Sequence, residues 1–335
     1  HMTELFNGMS ITRPIHLEPL GSRPGLVPIS DTFGLAPELL IDRNLAERDA
    51  EFHHQRLGYQ IPQAYRAAAF ALENPHLTLI GFGALALYGA KFLGDGCDTV
   101  LAGTRVPNPQ KAGPGKPRIS RSSLDTHEKW RAYLHGTWIS IASPAVAVAH
   151  ALKELRRERV GWPVVRCGDL HPTLIRAIQL IDVSRLLTID PLHTLAACKN
   201  RLDLPWVTDA LIRSSSLAES PKETEMRLIA EQVARKHGLH LQEQVPVKAN
   251  GQWITRFDLA LICPVSGQRF GLMYDGIQHW DYEQRNKDAS INLNATIEGW
   301  VPLRFSSASL PTMFEDLDRF FTRVLSTPRN ATGIH

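Results

Sequence analysis

Four side chains in the last third of the sequence, Glu223, Asp258, Asp275 and His279, are of the types that hold a hard cation and move a proton. Successive side chains on a strand point to opposite faces. In the stretch Trp253 to Cys263, residues Ile254, Arg256, Asp258, Ala260 and Ile262 therefore share one face. In Arg269 to Asp275, residues Gly271, Met273 and Asp275 do the same. Pairing of these stretches as a hairpin brings Asp258 and Asp275 together. His279 follows Asp275 by four residues, and Glu223 lies in the first turn of a preceding helix, with Arg227 one turn on. Mg²⁺ takes oxygen ligands, needs one or two carboxylates and keeps several waters. Held by Asp258 and Asp275, it would polarise a phosphodiester and activate water, with Glu223 and His279 assisting. Each residue alone has a plainer reading: Glu223 fits a capping box with Ser220, and His279 fits a solvated turn. The joint spacing carries the expectation.

The elements that must position these residues follow a polar break, SSSLAESP, at Ser214 to Pro221. After it the expected order is helix, strand, strand, strand, helix, strand, helix. Ser220 caps the first helix with Pro221 behind it, and Gly238 ends it. Strands are expected over His240 to Val247, Trp253 to Cys263, Arg269 to Asp275 and Val301 to Phe305. Helices are expected over Tyr282 to Ile297 and from Leu310. Before the break, residues 1–40 are rich in Pro, Gly and Ser and read as an extended arm. A helical pattern covers Ala36 to Phe70. Strands are expected at Leu77 to Phe82, Asp98 to Ala102 and Thr137 to Ala142, and helices at Ala84 to Leu93, Ser143 to Leu155 and, two or three of them, between His171 and Ile212. The fold class is α/β: an α+β N-terminal region over residues 41–215, then a mixed-sheet core flanked by helices over residues 216–335.

At 335 residues the chain is long enough for two or three domains with sizeable cores. Its net charge of +3 hides an uneven distribution. Residues 101–170 hold 12 basic against 5 acidic residues, while Ala218 to His335 hold 13 against 14. The densest basic stretch, Arg105 to Arg121, has four prolines, two glycines and no acid. It reads as a mobile basic loop in which Arg105, Lys111, Lys116, Arg118 and Arg121 supply phosphate contacts, with DNA as the partner. No apolar run approaches the roughly 20 residues that span a bilayer. No charged stub with an apolar run behind it opens the sequence, which speaks against a signal peptide. Cys97, Cys167, Cys198 and Cys263 are scattered without a CxxC, so a zinc ribbon or disulfide framework is not expected and a reducing cytoplasm is.

The segments SPKETEMR (Ser220 to Arg227), RFDLA (Arg256 to Ala260), YDGIQH (Tyr274 to His279), Asp288 and GWVPLR (Gly299 to Arg304) occur in an order and spacing that resembles the PD-(D/E)XK nuclease superfamily. The likeness is to the very-short-patch-repair endonuclease-like group found in many actinobacterial proteins, and covers about residues 218 to 310. It implies a restriction-endonuclease-like core, Mg²⁺ as cofactor and DNA as substrate. It also implies Glu223 as the helix acid, Asp258 as the principal metal ligand, Asp275 in the superfamily's lysine position, His279 as the turn histidine and Arg304 as the basic residue of the last core strand. Met273 stands where that group has Glu, and Ile291 where it has Arg; a thioether is a poor ligand for a hard cation. These departures imply an alternative, a degenerate core serving a DNA-binding transcriptional regulator. More loosely, GALALYG (Gly83 to Gly89) followed by SPAVAV (Ser143 to Val148) resembles an AbiEi-type antitoxin or regulator region over about residues 75 to 190, which implies a cognate toxin as a further partner.

Gly81, Gly83 and Ala86 fit a loose dinucleotide fingerprint, but Ala102 to Arg105 offers no acid after the next strand. Tight strand-to-helix packing is the expected use of those small residues. Glu51 and His54 lack a second ligand pair and read as surface. Trp206, Trp280 and Trp300 read as core.

Overall fold

The structure, a computed structural model, describes residues 4–5, 15–276 and 282–326. It divides into two compact units, residues 1–164 with 171–216, and residues 165–170 with 217–335. The class is α/β, with mixed sheets flanked by helices. No helix among the described residues is long and apolar enough to cross a membrane.

The first unit contains strands β1 (Glu4–Leu5), β2 (Glu18–Pro19), β3 (Val27–Pro28), β4 (Phe33–Leu35), β5 (Thr78–Ile80), β6 (Val100–Gly103), β7 (Arg118–Arg121), β8 (Lys129–Leu134) and β9 (Thr137–Ala142). A six-stranded sheet has the order β1-β8-β9-β5-β6-β7, and β2-β4-β3 form a small second sheet. Its helices are α1 (Arg43–Ala50), α2 (Gln63–Glu73), α3 (Gly81–Leu87), α4 (Pro144–Arg156), α5 (Pro172–Leu186), α6 (Pro191–Cys198) and α7 (Leu204–Ile212).

Several expectations change here. The expected extended arm builds the small sheet and buries Ile15, Leu17, Ile29 and Leu35, because its scattered apolar residues find a core that no local periodicity announces. The helical pattern of Ala36 to Phe70 is broken into α1 and α2, with Pro62 at the N-cap of α2; a residue before proline is pushed out of the helical region. Helix α3 starts at Gly81, earlier than expected, because that glycine adopts φ +59° straight after β5. A side chain at Gly83 would place its Cβ 2.9 Å from Leu79 Cδ1, so close packing accounts for that glycine. Strand β8 was not expected, although KWRAYL alternates outward Lys129 and Arg131 with buried Ala132 and Leu134.

The second unit is α8 (Pro221–His237), β10 (His240–Ala249), β11 (Gln252–Ile262), β12 (Arg269–Asp275), α9 (Tyr282–Ile297), β13 (Trp300–Ser306) and α10 (Met313–Ser326). The expected order of elements is the observed one. Ser220 Oγ accepts the Glu223 N–H at 3.2 Å, and Gly238 closes α8 in the left-handed region. The sheet order is β10-β11-β12-β13, antiparallel except for the parallel β12–β13 pair. Parallel neighbours need a crossover, and α9 supplies it. Phe270 and Phe321 pack edge to face at 4.9 Å, and Phe257 lies 5.2 Å from Trp300. The Phe257 ring crosses β12 so closely that a Cβ on Gly271 would sit 2.3 Å from it.

Candidate functional site

Strands β11 and β12 pair from Ile262↔Arg269 to Leu259↔Leu272, and the backbone ladder ends there. Beyond it a side chain takes over: Asp258 Oδ2 accepts the Tyr274 N–H at 2.7 Å. One carboxylate oxygen of Asp258 is thereby fixed in orientation by the neighbouring strand. Burial holds the Asp258 carboxyl above its usual range, and the negative charges of Glu219 and Asp275 add to this against the Tyr274 N–H and Arg256. Glu223, in the first turn of α8, reaches one residue past the expected capping-box partner, the Ser220 N–H. Its carboxylate accepts the Glu219 N–H at 2.9 Å and the Ser220 hydroxyl at 3.1 Å. Burial nevertheless pushes Glu223 up to about 7, with the Asp258 charge contributing. The structural and the electrostatic readings of Glu223 thus hold together: the residue ties down the chain entering its helix and also faces a second carboxylate.

Two arginines partly neutralise this acidic centre. Arg256 donates to Glu219 at 2.7 Å, and Arg304 donates to Asp275 Oδ1 at 2.7 Å. Arg304 is opposite Met273 in the parallel register of β12 and β13, which sets its guanidinium beside the end of β12. Met273 packs against the cluster of Val247, Phe257, Ala260, Ala295 and Trp300. His279 and Trp280 lie outside the described residues.

Hard cations want several oxygens around one point. Among the described residues, the group of three potential ligands whose donor atoms lie within 4.8 Å of one another is His53, His54 and Asp98, in the first unit. Glu223, Asp258 and Asp275 do not meet that spacing. Asp258 and Asp275 each keep one oxygen clear of the bonds just described.

The His53 cluster has its own chemistry. His53 Nε2 is 2.7 Å from Asp98 Oδ1, and the Tyr59 hydroxyl donates to the same oxygen at 2.7 Å. His53 Nδ1 accepts the backbone N–H groups of Gln55 and Leu57. A ring accepting at Nδ1 carries its proton at Nε2, so His53 donates to Asp98 and has no lone pair left for a metal. Burial opposes ionisation of Asp98, but the His53 and Tyr59 bonds outweigh it and hold the carboxyl below its usual range. The cluster is a buried hydrogen-bonded network in which Asp98 Oδ2 has no partner. Sequence reasoning saw His54 as surface, which it is, and missed His53–Asp98 because partners 45 positions apart leave no local spacing signal.

The basic stretch separates into two groups. Arg105, Lys111 and Lys116 are exposed. Arg118 and Arg121 lie on β7. Arg118 pairs with Glu154 at 2.7 Å with 15% of its side chain exposed, and Arg121 donates to the carbonyls of Val106 and Pro107. The expected basic loop is thus a loop tied back by one of its own arginines and ending in a sheet strand. Extended backbone that can hydrogen-bond a sheet edge does so even when proline precedes it.

Comparisons with family models, with curated proteins and with solved structures gave no match.

Proposed function

We propose that the chain is a DNA-binding protein whose second unit carries a metal-dependent, endonuclease-like centre hydrolysing phosphodiester bonds. The observation that carries this reading is the meeting of Glu223, from α8, with Asp258, from β11: burial pushes both carboxyls up, and the Asp258 charge adds to the rise at Glu223. Perturbed carboxylates of this kind concentrate at functional sites. Asp258 and Asp275 would hold Mg²⁺, which when bound would polarise the phosphodiester and acidify a water. The chain's own groups do the rest. The Tyr274 N–H orients Asp258. Glu223, at about 7, stands ready to take or give a proton near neutral pH. His279 keeps an assisting place in the proposed set. Arg105, Lys111 and Lys116 offer exposed charge to the phosphate backbone. The four cysteines are unpaired and buried, which supports a reducing compartment such as the cytoplasm.

A second reading, a regulator or antitoxin that binds DNA without cutting it and meets a cognate toxin, is favoured by the Arg304–Asp275 pair and by Met273. Incubation of the protein with plasmid and Mg²⁺ or Mn²⁺ separates the two. Cleavage that vanishes in Asp258→Asn supports the nuclease. Salt-dependent binding without cleavage, with activity gained in Met273→Glu, supports the degenerate core. Absence of DNA binding at low salt sinks both.

A further inference from the structure

The first unit contains a polar cleft of about 430 Å³ that the nuclease reading does not use. Ser122 and Ser123, just past β7, face Lys153 and His150 on α4, with Lys199 and Asn200 closing the side after α6. Two acids also line it, Asp125 and Glu128. Glu128 is already spent: Arg201 grips both its oxygens at 2.7 and 2.8 Å, and the Asp125 N–H takes Oε2 at 3.0 Å. Lys153 and Lys199 make no ion pair with any described residue. Burial lowers the Lys153 ammonium's pKa, and Arg157, Arg201 and Arg159 add repulsion against the attraction of Glu154. Lys153, Lys199 and Arg201 against Asp125 and Glu128 leave the cleft lining with one net positive charge.

Its wall contains a second signal. His150 is only 7% exposed, and its Nε2 has no hydrogen-bond partner. The ring lines both this cleft and a narrow pocket of about 10 Å³ lined also by Asp98, Arg118 and Glu154. Buried polar atoms are nearly always paired, so an unpaired one asks for a ligand or a water. Burial and the charges of Arg201 and Lys153 push His150 down to about 4, so the ring is neutral at pH 7. A neutral imidazole donates one ring N–H to an anion without gaining a proton.

We propose that this cleft is a binding site for a small phosphorylated molecule of about mononucleotide size, seated phosphate-first between Lys153, Lys199 and His150. Two ammonium groups, two serine hydroxyls, an asparagine amide and a neutral imidazole are a donor set suited to a tetrahedral dianion. The volume is in the range of small-ligand sites, about 300 to 1,000 Å³. The His150 floor is reached by a terminal phosphate, which projects, more readily than by the diester backbone of a duplex.

The test is calorimetric titration of the full chain, at constant ionic strength, with inorganic phosphate, with deoxyadenosine monophosphate, with deoxyadenosine and with a short DNA duplex, in the native protein and in Lys153→Gln and Lys199→Gln. The expected result is binding of the monophosphate and, more weakly, of phosphate, no binding of the nucleoside, and a loss of about tenfold in affinity in each variant. Lys199 is exposed, so its variant folds whatever Lys153→Gln does. No binding of either phosphate up to about 10 mM, or equal binding by native protein and Lys199→Gln, overturns the proposal. So does an equal loss of duplex DNA binding in both variants, which would make the cleft part of a DNA backbone surface. Failure of the nuclease reading leaves these outcomes unchanged, because Asp258 variants do not enter them.

Discussion

Replacing Glu223 by Gln is expected to stabilise the protein above neutral pH. In the unfolded chain this carboxyl titrates at its ordinary value of 4.5, and in the folded chain at about 7. Between those values the folded state binds the extra proton, so Glu223 lowers stability as pH rises from 4.5 to 7, and the loss is complete above 7. At 1.36 kcal/mol per pKa unit the full penalty is about 3 kcal/mol. The side chain keeps partial contact with water, so screening leaves about half of that, roughly 1.5 kcal/mol. Gln keeps one acceptor oxygen for the Glu219 N–H, so the cap survives. Chemical denaturation of native protein and Glu223→Gln at pH 4, 6 and 8 reads the effect. The two should match at pH 4, and the variant should gain about 1.5 kcal/mol by pH 8. A variant less stable at pH 8, or a difference independent of pH, would refute the burial-and-charge account of Glu223 and with it the main support for the acidic centre.

Three further outcomes follow from the geometry. Arg118→Met should cost about 2 kcal/mol in denaturant midpoint analysis, because it leaves the mostly buried Glu154 with only the longer Arg159 contact at 3.8 Å, whereas Lys111→Met should change stability by under about 0.5 kcal/mol and reduce only DNA affinity in a gel-shift series. Gly271→Ala should lower stability by about 2 kcal/mol or more by thermal denaturation, since its Cβ would meet the Phe257 ring at 2.3 Å. Micromolar Zn²⁺ should leave Tm unchanged in native protein and in His54→Ala alike, because His53 donates to Asp98 and has no lone pair to offer; a metal-dependent rise in Tm lost in His54→Ala would show that the cluster binds metal after all.

The second unit was largely legible in the sequence because its signals are local. Ser220, Pro221 and Gly238 mark the limits of α8 through caps that need only neighbouring residues. The period-2 pattern of β11 and β12 places Asp258 one strand from Asp275 without reference to anything distant. The first unit was legible only in part. Thr137–Ala142 and Pro144–Arg156 carry strong apolar periodicity and are found where expected, whereas the strands of the N-terminal small sheet are two or three residues long and have no period to read.

The sequence by itself determined the α/β class, the order of elements after residue 220, the excess of positive charge over residues 101–170 and the neighbourhood of Asp258 and Asp275. Tertiary structure alone decided which charges are spent. Arg118 looked free and is paired with Glu154, 36 positions away; Asp275 looked like a metal ligand and already holds Arg304; the Nε2 of His150, on the helix expected over Ser143 to Leu155, is buried without a partner. The reason is physical: periodicity and capping depend on residues within a turn or two of one another, but the state of a charge depends on solvent and counter-ions that reach it only after the chain has folded.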